Sequence, residues 1–317
     1  MCPFCFYFCM QIMLKTDMEN KKSLVGAWVE AARPRTLPAS VSPVLLGCAL
    51  AYYDGVFDVV PAVLCLLVAL FAQIASNFAN DYFDFKKGAD REDRLGPERA
   101  VAEGWITPKA MLTGTFVTLG LACAAGLLLL CFADWRLIGV GIAIAICVLA
   151  YSAGPFPLAY NGLGDVCVLL FYGIIPVCFT YYIQTLNFSL LSFLLSVALG
   201  LLSVNILVVN NYRDYLQDKA ARKRTTIVLF GRRAGRVFYV LNECMAFLLV
   251  LPLILDAPWW ILFLFGILFA LCFYTTRELF TLEGRALNRT LGHTARNVFL
   301  FASVLSLLFL YIGGVSN

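Results

Sequence analysis

The sequence predicts an all-α integral membrane protein, a single bundle of nine membrane-spanning helices. Three observations predict it. Apolar residues make up 61% of the 317 and charged ones 14%, against about 45–50% and 25% in soluble domains. The apolar residues gather into nine runs, each near the ~20 residues a helix needs to cross the hydrocarbon core. Of the 24 Lys and Arg, all but Arg136 fall on alternate connectors and so on one side of such a bundle, as expected of a cytoplasmic face.

Taken in order, residues 1–22 read as a leader separate from one membrane domain over 23–317. Its apolar stretch of about a dozen residues is too short to span. It has neither a basic start nor a small-residue cleavage site, which argues against a signal peptide. Met18, followed by Glu-Asn-Lys-Lys, offers an alternative start. The nine runs cover approximately 36–53, 59–83, 108–132, 135–153, 164–184, 188–212, 236–255, 258–277 and 294–314. Tyr53-Asp54-Gly55 and Asp256-Ala257-Pro258 carry turn signals on the side without basic residues. With the N-terminus cytoplasmic, the basic loops face the cytoplasm. The net charge of +4 does not point to nucleic acid, because the basic residues sit between apolar runs. Most of the 12 cysteines are scattered within the runs, where they serve as small hydrophobes. Cys2-Pro-Phe-Cys5 lacks a second pair or a nearby His and carries no metal or redox reading.

The polar ends of two runs stand out. Residues 77–90 read NFANDYFDFKKGAD at the inner end of the second run. On a helix, Asn77, Asp81 and Asp84 are spaced i, i+4, i+7 and share one face. Carboxylates one turn apart repel, and the helix C-terminus adds partial negative charge. A cation would relieve both, and hard oxygen donors favour Mg²⁺ or Ca²⁺; a solvated, polar helix end is the plain alternative. Residues 210–218 at the end of the sixth run read NNYRDYLQD, so Asn80-x-Tyr82-x-Asp84 recurs as Asn210-x-Tyr212-x-Asp214. Asn210, Asp214 and Asp218 are spaced i, i+4, i+8. Gly88 stands opposite Asp218, with Asp90 two residues on. Two copies four spans apart and running the same way imply a parallel pseudo-repeat of four helices plus a ninth.

Opposed carboxylate clusters beside basic loops suit a diphosphate bridged by divalent cations. Arg91, Arg94, Lys223 and Arg224 would take the remaining charge. Phosphate loops of the P-loop or GxGxxG kind are absent. A diphosphate at the bilayer surface implies a lipid tail among the helices, and Tyr82, Phe83, Tyr212 and Tyr215 offer aromatic faces for an allylic cation. A transporter also fits intramembrane carboxylates and repeats, but it would place them near the midplane rather than at span ends.

These residues resemble the UbiA superfamily of membrane prenyltransferases. Residues 76–105 (SNFANDYFDFKKGADREDRLGPERAVAEGW) are most similar to its 1,4-dihydroxy-2-naphthoate polyprenyltransferase branch of menaquinone synthesis. So are residues 33–38 (RPRTLP), 151–165 (YSAGPFPLAYNGLGD) and 209–214 (VNNYRD). The resemblance implies a bundle of UbiA type, and implies that Asp81, Asp84, Asp214 and Asp218 hold two Mg²⁺ on a polyprenyl diphosphate. It further implies that Asn77 and Asn80 orient that shell, and that Arg91, Arg94, Lys223 and Arg224 contact the diphosphate. The implied reaction is ionisation of the prenyl diphosphate and attack by 1,4-dihydroxy-2-naphthoate with loss of CO₂, giving demethylmenaquinone at the cytoplasmic face of the cell (inner) membrane. Arg35 is a candidate partner for the ring carboxylate, its other reading being a charge that sets topology. Another acceptor, such as 4-hydroxybenzoate, is the alternative within the superfamily. Gly88 departs from many members, which carry a third aspartate there. Pro155 and Phe156 stand where many carry a lysine after the loop tyrosine, so the resemblance does not assign that loop a covering role.

Overall fold

The structure, a computed structural model, describes residues 22–88 and 94–316. The leader apart from Lys22, together with Asp90 and Arg91, lies outside the described residues. Those described form helices joined by short connectors, with no strand among them. Helix α1 (Leu24–Ala32) precedes α2 (Pro38–Tyr53), α3 (Val59–Lys86), α4 (Pro108–Leu128) and α5 (Leu137–Ala150). The span Gly164–Thr185, here α6, contains a π-helical turn at Leu170–Ile174. Then come α7 (Leu190–Arg213), the short α8 (Tyr215–Ala220), α9 (Thr226–Leu255), α10 (Trp259–Thr281) and α11 (Leu287–Ser316).

Polar residues at the starts of these helices set their boundaries. The side chains of Asp58, Thr107, Ser189 and Thr225 accept hydrogen bonds from Val60, Ala110, Leu191 and Val228 N–H. Each satisfies a donor that has no partner within its own helix. Between the caps the residues are apolar on nearly every face, as a lipid-facing helix requires.

Each of the nine apolar runs corresponds to a helix, but nine independent spans are not found. Among the described residues seven helices are long and apolar enough to cross a membrane, and an eighth span results if α1 and α2, bent by 53°, count as one. Helix α5 has 14 residues, about 21 Å at 1.5 Å per residue and short of the ~30 Å core. Two other boundaries moved. Helix α9 begins ten residues before the predicted run, bent at Gly231, so Arg232, Arg233 and Arg236 are helical. Helix α11 starts at Leu287, taking in Arg289, His293 and Arg296. A multi-pass helical membrane protein is nonetheless the architecture.

Helix α3 packs along α4, α7 along α9, and α2 against both α6 and α11. The largest apolar core lies where α2, α7, α9, α10 and α11 meet, around Leu46, Leu199, Ala246, Phe265, Phe301 and Leu305. A smaller core clamps α1 and the 100–106 segment onto α3 through Ala27, Phe78, Val101 and Met111. The C-terminal ends of α3 and α7 thereby come to opposite sides of one cavity.

Candidate active site

The last two turns of α3 carry the first cluster. Asn80 uses its whole amide. Nδ2 donates to Asp84 Oδ2 (2.9 Å) and Ser152 Oγ (3.1 Å), while Oδ1 accepts from Arg33 (2.9 Å) and Arg99 (2.6 Å). Asp84 also accepts from the Tyr160 hydroxyl (2.8 Å) and has Arg99 at 3.5 Å. Asn77 donates to Ala32 O (2.9 Å), tying α1 to α3. Arg33 sits in the left-handed region (φ 55°, ψ 64°), a conformation that costs a non-glycine residue and that functional sites tolerate. That turn ends α1 and aims the guanidinium at Asn80. Beyond Asp84 the helix stops: Gly88 has φ 65°, the left-handed exit that glycine adopts without penalty. Position 88 therefore leaves the helical stripe that the second cluster continues to Asp218.

Asp81 is placed differently from its neighbours. Its carboxylate accepts from the N–H groups of Ala100 (3.1 Å) and Val101 (3.4 Å) and is almost wholly buried. It caps the turn that holds the 94–107 segment in place and does not line the cavity. The α-helical stripe Asn77–Asp81–Asp84 holds as backbone geometry, yet the loop captures Asp81.

The second cluster is organised by Arg213, which is buried. Its guanidinium grips both oxygens of Asp214 (2.7 and 2.6 Å) and also donates to Asn210 Oδ1 (2.7 Å) and Asn288 Oδ1 (2.6 Å). Asp218 follows on α8. A Schellman-type end, with Arg222 at φ 56° and Lys223 N–H on Asp218 O (2.8 Å), folds Lys223 back. Lys223 Nζ then stands 3.8 Å from Asp218 Oδ1. Asp218 Oδ2 is buried with no hydrogen-bond partner. Burial pushes this carboxyl up to about 6; Lys223 opposes the shift, and Asp214 and Asp84 add to it. A buried carboxylate oxygen without a donor is one that a nearby cation would stabilise.

Asp84, Asp214 and Asp218 line one cavity of about 670 Å³ together with Asn77, Asn80, Arg33, Arg35, Arg94 and Lys223. Arg35 is exposed at its rim. Arg224 is not in the lining; its side chain is exposed, and its backbone N–H donates to Tyr160 O (2.9 Å), pinning the 151–163 loop. Among the described residues no three Asp, Glu, His or Cys side chains gather closely enough to hold one ion. The donors are nonetheless hard oxygens, suited to ions that draw most of their ligands from a bound diphosphate and water. Away from this polar mouth the walls turn apolar, reaching Cys65, Leu129 and Leu137 at the far ends of α3, α4 and α5.

Several residues of the site were not singled out in the sequence. The 151–163 loop brings Tyr160 to Asp84 and Ser152 to Asn80, so it does reach the site. Lys87 donates to Ser152 O (2.6 Å) and lies 4.3 Å from the Tyr160 ring centroid. Burial holds its amine below the ordinary lysine value, with Asp84 opposing. The aromatic walls are Tyr151, Phe171, Tyr172 and Phe179, and the π-turn presents Phe171 and Tyr172. Tyr82, Phe83, Tyr212 and Tyr215 lie elsewhere. Asp165 also lines the cavity, one oxygen bonded by Thr226 and Oδ1 without a partner. His293 is 2.7 Å from Glu278 and outside the cavity. Tyr160→Phe removes one hydrogen bond to a charged acceptor, worth about 1.5–3 kcal/mol. The expected result is a kcat/KM roughly ten- to a hundredfold lower, with the protein's elution profile unchanged. Unaltered kinetics would leave Tyr160 as loop packing alone.

The sequence profile of the UbiA prenyltransferase family matches residues 40–291. The chain belongs to this family. The 1,4-dihydroxy-2-naphthoate octaprenyltransferase of Mycobacterium tuberculosis is 39% identical over 236 residues, 73% of this chain and 79% of that protein. The enzyme of the same name from Haemophilus influenzae is 37% identical over 235 residues, 72% of this chain and 76% of that protein. Among solved structures, a UbiA homologue from Archaeoglobus fulgidus bound to DMAPP and Mg²⁺ superposes with a TM-score of 0.60 at 18% identity, covering 89% of this chain and 97% of that one. At that identity the likeness speaks for the fold of this UbiA-family chain.

Proposed function

We propose that this chain is a Mg²⁺-dependent 1,4-dihydroxy-2-naphthoate polyprenyltransferase, which releases diphosphate and CO₂ and yields the quinol form of demethylmenaquinone. The observation that carries the reading is the cavity itself. Carboxylates from the ends of α3 and α7 share its mouth with Arg94 and Lys223, and its apolar walls continue through the bundle. The relatives' names supply the acceptor. Asp84, Asp214 and Asp218 would hold the metal, with Asp81 supporting the 94–107 segment instead. Bound Mg²⁺ supplies charge neutralisation for the departing diphosphate.

The protein's own groups do the rest. Lys223, Arg94 and Lys87 take the remaining phosphate charge, with Arg91 a further candidate. The walls of α3–α6 hold the prenyl chain away from water, and the rings of Phe171, Tyr172 and Phe179 in that lining stabilise the allylic cation. Arg35 at the rim orients the acceptor's carboxylate. The repeated motifs at the ends of α3 and α7, with α3 on α4 as α7 is on α9, support the pseudo-repeat. The asymmetry of basic residues supports a cytoplasmic mouth in a cell (inner) membrane.

The deciding experiment incubates membranes containing the protein with labelled polyprenyl diphosphate and a panel of aromatic acids. One CO₂ should appear per prenylated naphthoquinol. Product that keeps its carboxylate, or transfer to 4-hydroxybenzoate only, would assign the chain to a different acceptor. Arg35→Ala should raise the acceptor KM roughly tenfold, the scale of one charge-assisted contact, and leave the prenyl-diphosphate KM unchanged. Both KM values staying put would return Arg35 to a topological charge.

A further inference from the structure

Outside the cavity lining, a second cationic cluster is built into α9 against the α7–α8 turn. Gly231 adopts φ 87°, ψ 163°, a conformation reserved almost entirely to glycine. The helix therefore kinks here and resumes at Arg232. Arg232 and Arg236, four residues apart, emerge on one face of this restart. Arg232 lies over the rings of Tyr212 (5.2 Å) and Tyr215 (5.4 Å), and Arg236 over Tyr212 (5.4 Å) and Phe280 (5.1 Å). Stacking holds both guanidinium planes in place. It does not neutralise them.

Their polar contacts are few. Arg236 donates to Phe280 O at 3.3 Å. The Nε atoms of both arginines are buried without a hydrogen-bond partner. Among the described residues neither arginine is in an ion pair. Two half-buried, preoriented charges beside a helix start call for an anion, and guanidinium forks match phosphate oxygens. The surroundings say which kind. Phe230 is 72% exposed and Leu216 64%, with Val237 and Phe280 also open, an apolar collar that a free anion would not need. Helix α9 continues from this point into its apolar span. None of these residues lines the cavity.

We infer that Arg232 and Arg236 form a binding site for the phosphate of an anionic phospholipid, in the leaflet at the basic end of the bundle, with the collar against its acyl chains. Two arginines near a lipid phosphate correspond to roughly thirty-fold in affinity. The test counts lipids on the full chain, purified in neutral detergent, by native mass spectrometry. Dioleoylphosphatidylglycerol and dioleoylphosphatidylcholine are the probes. Phosphatidylglycerol should bind in preference, and R232Q/R236Q should lose that preference. R277Q/R285Q, an equal charge change on exposed arginines at the same end, should keep it. If the glutamine pair fails to fold, R232K/R236K serves: charge without the stacked fork should weaken binding several-fold. Retention of full binding by the arginine-site variants, an equal loss in R277Q/R285Q, or displacement of the lipid by millimolar inorganic phosphate would each overturn the inference.

Discussion

Asp84→Ala and Asp214→Ala are each expected to lower prenyl transfer by roughly 10²- to 10³-fold or more, the cost of removing one preorganised group that stabilises a leaving anion. The protein should remain in the membrane. Asp84 and Asp214 stand at the ends of α3 and α7, where their removal opens no apolar core. Asp84→Asn separates the two roles of that residue: it keeps the volume and an acceptor for the Tyr160 hydroxyl but gives up the charge. It should therefore be nearly as inactive as Asp84→Ala while eluting like the unaltered protein. Chelation with EDTA should abolish turnover in the unaltered protein, and Mg²⁺ should restore it. Near-normal turnover by either alanine variant at moderate Mg²⁺, or turnover that ignores EDTA, would remove the case for a shared two-cluster site. Asp81→Ala belongs in the same series. Its carboxylate holds Ala100 and Val101 N–H, so its loss should loosen the 94–107 segment and lower thermal stability along with activity.

Much of this arrangement was legible because it rests on local spacing. The i, i+4 relation of Asn80 to Asp84 and its repeat in Asn210 and Asp214 are helix geometry, and the charge asymmetry of the loops is a property of composition. What a stripe cannot show is which loop competes for its side chains. Asp81 lies on the predicted face, yet the backbone N–H groups of Ala100 and Val101 in the following segment capture its carboxylate. Arg33, Arg99 and Tyr160 meet at Asn80 and Asp84 from separate segments, and no periodicity links them. The sequence did carry one overlooked signal, the paired arginines of Arg33-Pro34-Arg35, of which only the outer was weighed. The aromatic walls were misplaced for a related reason. Tyr82 and Tyr212 are near the motifs in number, but the π-turn in α6 rotates Phe171 and Tyr172 inward. Helix α5 shows that hydropathy counts apolar residues and not helical length.

Arg213→Ala should produce the largest loss of stability of any single change near the site. Arg213 is buried and grips both oxygens of Asp214, whose side chain is 16% exposed. It also satisfies Asn210 and Asn288, and Asn288 in turn donates to Leu95 O (2.9 Å), anchoring the loop that follows α3. Removing one partner of a buried pair costs about 3–5 kcal/mol, because the other charge is left without compensation. The partial exposure of Asp214 puts the expectation at the lower end, about 3 kcal/mol. Arg213→Lys should recover only part of it, since an ammonium cannot span two carboxylate oxygens and two amides. The informative comparison adds Mg²⁺ and inorganic diphosphate to both proteins and follows thermal unfolding in detergent. In the unaltered chain the charge of Asp214 is already matched by Arg213. In the variant it is not, so a cation at Asp214 offsets a penalty that the unaltered chain never had. The gap between the two unfolding midpoints should narrow on adding the ligands. A gap that stays constant would mean that no cation reaches Asp214, and the second cluster would then be a structural arginine cage instead of half of a metal site.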